Sequence, residues 1–139
     1  MTEYDIGNLI NYCKSKEEKV NTTKEIIKLS KEHKVKVGAV YVIENTIFGK
    51  CYIGQTRNIT KIFDNWKRDL ENNSNRYPSE LCYDYKDFKT AFQFYIYDAD
   101  ITMYGRTRKR ENLLESEKFL DTYNLWKNKG EWIRYIRGK

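Results

Sequence analysis

The sequence predicts a small α+β domain, a three-stranded antiparallel sheet flanked by helices, with a two-helix extension at its N-terminus. Two observations predict it. Three short runs, residues 39–44, 50–54 and 92–97, are made largely of β-branched and aromatic residues, which suit a pleated surface. Before and between them, apolar residues recur at three- and four-residue spacing, the period of a helix with one buried face.

The elements follow in order. A first helix is expected over residues 3–19, where Ile6, Leu9, Ile10 and Cys13 share a face and Lys14 to Lys19 form a charged, solvated end. A second is expected from Thr22, because Thr22-x-x-Glu25 has the form of a capping box; Ile26, Ile27 and Leu29 supply its apolar face as far as about Lys34. Gly38 marks the change of regime. Strands 39–44 and 50–54 are joined by Asn45-Thr46-Ile47-Phe48-Gly49, a short glycine-containing connection that predicts a hairpin. A helix over 60–70 carries Ile62, Phe63, Trp66 and Leu70 as a stripe. Residues 72–78 read as a loop, and Ser79 as the N-cap of a helix ending near Phe88 or Thr90. Strand 92–97 leads to the basic stretch at 105–110, then to a helix over Glu111 to Tyr123 and an aromatic-basic tail. Trp132, Ile133 and Ile136 in that tail stand at helical spacing. The chain divides by this reading into a helical extension, 1–36, and a main domain, 37–139.

Composition narrows the function classes. The 139 residues carry 26 Lys and Arg against 20 Asp and Glu, a net charge of +6 that favours acidic partners. No apolar run approaches the length of a membrane-spanning helix, so no membrane association is expected. Cys13, Cys51 and Cys82 cannot all pair and none lies in a C-x-x-C arrangement. A disulfide framework and a zinc knuckle are both disfavoured, and a reducing cytoplasm is the expected compartment. The lone histidine, His33, sits in the charged run Lys31 to Lys34 and reads as a solvated side chain.

The expected hairpin holds the most specific signal. Ala39-Val40-Tyr41 on its first strand, with Gly38 just before, is answered by Tyr52-Ile53-Gly54 on its second, eleven residues on from tyrosine to tyrosine. This pair resembles the motif of the GIY-YIG nucleases, and the resemblance covers about residues 38–124. It implies phosphodiester hydrolysis in DNA, with Tyr41 and Tyr52 handling protons at the nucleophile and Gly54 lying against the nucleic acid. A phenol with a pKa near 10 is a poor base unless a cation lowers it, so Lys50 is a candidate for that role. The alternative for the two tyrosines is cross-strand packing.

The resemblance also implies a divalent cation, Mg²⁺ or Mn²⁺, held by one glutamate in a later helix. Glu117 is the candidate. At 100° per residue it projects about 40° from Leu113 and about 60° from Leu114 and Leu120, within the apolar stripe, where a carboxylate needs a partner. A salt bridge would serve as well as a metal. Asn124 falls on the same face and resembles the family's supporting asparagine; a helix C-terminal asparagine is the plain alternative.

The chain departs from the family at its catalytic arginine. Counting ten residues from Tyr52 gives Ile62; allowing a three-residue insertion gives Asn65. The next family position becomes Trp66 or Asp69. A guanidinium is a fixed cation with a fork that matches phosphate, and losing such a contact typically costs about 10²–10³ in rate. Arg57, Arg68 and Lys61 are the substitutes the sequence offers. Arg106, Arg108, Lys109 and Arg110 form a basic cluster suited to DNA phosphates.

Two functions are therefore expected to compete. One is a small DNA endonuclease, monomeric or homodimeric, from a phage, mobile-element or restriction setting. The other is a lapsed nuclease that binds nucleic acid or a protein without cutting. The N-terminal helices could carry a protein partner.

Overall fold

In the computed structural model the described residues are Ile6, 9–100 and 133–135. Ile6 is helical, and a single 3₁₀ turn follows at Leu9–Tyr12. Helix α1 then runs without a break over Lys16–His33. Two helices with a joint near residue 20 were the expectation. The cap that forms is at Ser15 with Glu18, not at Thr22 with Glu25. Ser15 Oγ accepts from Glu18 N at 3.1 Å, and Lys14 N donates to Glu18 Oε2 at 2.7 Å. Ser15 is extended, at φ −141°, as an N-cap must be. Lys34 ends the helix in the left-handed region at φ 55°.

Strands β1 (Gly38–Asn45) and β2 (Lys50–Thr56) form the expected antiparallel hairpin. Asn45 organises its turn. Its Oδ1 accepts from Ile47 N and Phe48 N, and Gly49 closes the turn at φ +67°, a conformation glycine adopts without strain. Helix α2 (Ile59–Glu71) is capped by Asn58, whose Oδ1 accepts from Lys61 N. Helix α3 (Ser79–Asp87) begins one residue earlier than expected: Pro78 is the N-cap and Ser79 the first helical residue. Strand β3 (Phe92–Asp100) pairs antiparallel with β1.

The sheet order is β3-β1-β2-β4, where β4 (Ile133–Arg134) adds two residues parallel to β2. The three antiparallel strands are those the sequence predicts. The tail at 133–134 is extended rather than helical, and Tyr135 N continues the pairing by donating to Cys51 O at 2.8 Å.

Side-chain alternation divides the core between the two sheet faces. Ala39, Tyr41, Ile43, Phe92, Phe94 and Ile96 pack with Ile59, Ile62, Trp66 and Leu70 of α2 and with Leu81 and Tyr85 of α3. Val40, Val42, Cys51, Ile53, Tyr95 and Tyr97 form the second cluster, with Val20 of α1 against it. Ile26 and Ile27 of α1 join the first cluster, so α1 passes beside β3 and serves both faces.

That path closes the β3 edge. Thr23 Oγ1 accepts from Ile96 N at 2.7 Å and donates to Lys19 O. An open edge would leave that amide unpaired. The register slips between Val40, opposite Asp98, and Tyr41, opposite Ile96, so Tyr97 is an extra residue. Its carbonyl accepts from the buried Lys19 Nζ, which also lies 4.0 Å from the Tyr97 ring centroid.

Candidate functional site: a phenol cluster on the hairpin

Period-two alternation places Lys50, Tyr52 and Gly54 of β2 on the same face as Tyr41 of β1. Gly54 is the cross-strand partner of Tyr41. The Tyr41 ring occupies the space a side chain at Gly54 would need, with 2.4 Å from the site of a β-carbon to Tyr41 Cζ. The glycine is thus accounted for by the ring that covers it. The same ring stacks on Phe94 at a centroid distance of 5.2 Å, which fixes it from the β3 side.

Tyr41 and Tyr52 have ring centroids 6.3 Å apart, tilted by 49°. The sequence pairs them and the structure brings them together. A third tyrosine completes the group: Tyr77, from the loop between α2 and α3, meets Tyr52 edge-on at 5.3 Å. Tyr41 is 2% exposed and Tyr77 4%, while Tyr52 is half-buried. Tyr52 is the member of the cluster that reaches solvent.

Burial holds the Tyr41 phenol well above the ordinary tyrosine range, and the neighbouring Tyr77 and Tyr52 phenols push it the same way. Burial likewise raises Tyr77. The Arg76 guanidinium draws both downward and is outweighed. The Tyr41 hydroxyl donates toward Tyr77, raising Tyr41 and lowering Tyr77. The contact is felt electrostatically but lacks the geometry of a full hydrogen bond, so the buried Tyr77 Oη has no partner among the described residues. At neutral pH both phenols are protonated.

Arg76 and Tyr77 are held in place by a tight loop. Ser74 N donates to Asp69 O, Arg76 N to Ser74 Oγ at 3.2 Å, and Tyr77 N to Ser74 O. Asp69 Oδ2 lies 3.7 Å from Arg76 Nε, and Asp69 Oδ1 lies 4.0 Å from Arg68 Nε. One carboxylate is thus flanked by two guanidiniums. The sequence reading passed over both loop residues because 72–78 looked like a connection and nothing more. The available signal was a basic-aromatic pair immediately before the chain's only proline, which fixes the loop's exit.

The remaining candidates fall elsewhere. Lys50 Nζ pairs with Glu80 and lies 4.5 Å from the ring centroid of Tyr135. The Tyr135 hydroxyl in turn donates to Asp84 Oδ2 at 2.7 Å and accepts from Asn45 Nδ2 at 3.2 Å. Lys50 is therefore bound into the junction of β2, α3 and the tail. Arg57 is exposed just beyond β2, and Lys61 is exposed on α2. Arg68 is 67% exposed at its side chain. Ile62 is 5% exposed within the core, as is Trp66. Arg106, Arg108, Lys109, Arg110, Glu117 and Asn124 lie outside the described residues.

Among the described residues no three His, Cys, Asp or Glu side chains converge as a metal cage. Asp69, the carboxylate felt by Tyr77, already faces Arg76 and Arg68, and Glu80 faces Lys50. The described residues by themselves do not fit a divalent cation, and that expectation rests on Glu117. No helix among them is long and apolar enough to cross a membrane.

No family model matches the chain, and no curated protein or solved structure shows significant similarity to it. The functional reading therefore rests on the residues and their geometry.

Proposed function

We propose that the protein is an endonuclease that hydrolyses phosphodiester bonds in DNA, with its reacting centre at Tyr41, Tyr52 and Tyr77. The observation that supports this best is the pairing of Tyr52, a partly solvent-reaching phenol, with two buried phenols that stay protonated. In the reaction a water oxygen bonds to phosphorus as the bond to the leaving sugar oxygen breaks. One proton leaves the water and one reaches the departing oxygen. Tyr52 is the phenol positioned to exchange a proton with solvent or nucleophile. Tyr41 and Tyr77 hold its ring, and the Tyr77 hydroxyl is the donor offered to a phosphate oxygen. A requirement for Mg²⁺ or Mn²⁺, with Glu117 as ligand, belongs to the same proposal.

A specific observation favours the rival. Ile62 fills the family's arginine position and is buried among core residues, so that face of α2 is committed to packing. A domain of this kind would hold DNA without cutting it. Incubation of supercoiled plasmid with the full chain, in Mg²⁺, in Mn²⁺ and in chelator, separates the two. Metal-dependent nicking that is lost in Glu117→Ala supports the nuclease. Salt-sensitive DNA binding without nicking supports the binding module.

A further inference from the structure

The α2 helix lacks a guanidinium facing the phenol cluster, yet the adjoining loop supplies one. Arg76 immediately precedes Tyr77, whose ring touches Tyr52, and its side chain is 45% exposed. Its Nε lies 3.7 Å from Asp69 Oδ2, a carboxylate that also faces Arg68. Beside it the buried Tyr77 hydroxyl has no partner among the described residues. A buried hydroxyl in that state costs free energy unless an acceptor arrives. A guanidinium fork and a phenol donor side by side fit the oxygens of a phosphate diester, which accepts from both. Lys50 is a poorer candidate: it is 14% exposed and faces Glu80.

We propose that Arg76, together with the Tyr77 hydroxyl, is the phosphate-binding contact of this site, supplied by the α2–α3 loop in place of the helix position taken by Ile62. The kinetic consequence rests on the nuclease reading; the binding consequence does not.

The test uses the full chain and two measurements. The first is anisotropy of a labelled DNA duplex titrated without metal at several salt concentrations. The second is plasmid nicking with Mg²⁺ or Mn²⁺. Arg76→Ala is expected to weaken binding and to reduce the salt slope by about one unit. It is expected to slow nicking by about 10²–10³-fold. Arg76→Lys should keep the salt slope and recover only part of the rate, since it keeps the charge and loses the fork. Tyr77→Phe should weaken binding roughly 10-fold, the scale of one hydrogen bond to a charged group. Lys28→Ala, on the exposed face of α1, is the charge-matched control. Thermal unfolding of each variant checks that the fold is kept. If the wild-type chain does not nick, the nuclease reading fails and the binding measurement alone decides the role of Arg76. Binding and salt slope of Arg76→Ala equal to those of Lys28→Ala would overturn the proposal.

Discussion

The Tyr41 ring lies across the backbone of its cross-strand partner Gly54, so that a β-carbon there would stand 2.4 Å from Tyr41 Cζ and 2.5 Å from its hydroxyl oxygen. The ring cannot simply move away, because it is buried and stacked on Phe94. The glycine of the second half-motif and the tyrosine of the first are thus two parts of one contact. Gly54→Ala is expected to cost about 1–3 kcal/mol through overpacking and to alter the near-ultraviolet circular dichroism of the tyrosines. Chemical denaturation and that spectrum check both outcomes.

Placing an arginine at position 62 of α2 is expected to damage the protein rather than improve it. Ile62 is 5% exposed and packs in the main core. Ile62→Arg places an unpaired charge there, at a cost of about 3–5 kcal/mol. Ile62→Val should cost only about 0.5–1.5 kcal/mol. Urea midpoints of the two variants distinguish a packing position from a vacant catalytic one.

Alkaline pH should unfold the protein through its phenols. Tyr41, Tyr77, Tyr85, Tyr95 and Tyr135 are all raised above the ordinary tyrosine value, in each case chiefly by burial. A raised folded-state pKa means that the unfolded chain loses the proton first. The stability these groups contribute is fully present below about pH 10, the unfolded value, and is lost as pH rises above it. Phenolate absorbance followed with pH should show these five tyrosines titrating only as the fold is lost. All twelve tyrosines titrating together near pH 10, before unfolding, would contradict this.

The β3 edge gives a further test. Thr23→Val keeps the shape of the side chain and removes the oxygen that accepts from Ile96 N. A buried amide left unpaired costs about 1–3 kcal/mol. Hydrogen exchange at Ile96 should accelerate, and the melting temperature should fall.

These contacts also explain how much of the molecule could be read from its residues. The hairpin was legible because strand propensity, a glycine suited to φ +67° at position 49 and polar turn residues all agree locally. Helix α2 was legible because Ile62, Trp66 and Leu70 hold one stripe. The start of α1 was misplaced because Ser15 and Thr22 both precede a glutamate by three residues. What separates them is tertiary: Cys13 Sγ donates to Thr22 Oγ1 at 3.2 Å, and Thr23 is needed at the β3 edge. The β3 bulge and the two-residue β4 depend on partners distant in sequence and leave no local pattern. Within the site, Tyr41, Tyr52 and Gly54 were found by motif. Arg76 and Tyr77 were not, because a loop residue's role depends on where the loop folds back.

The central claim, that Tyr52 is the reacting phenol, is tested most directly by single-turnover plasmid cleavage with Tyr52→Phe beside the wild-type chain in saturating Mn²⁺. Removing one hydroxyl from a half-buried ring leaves the packing against Tyr77 in place. The account predicts unchanged DNA affinity and a cleavage rate lower by about 10²-fold or more. A Tyr52→Phe protein that cleaves as fast as the wild type would contradict it.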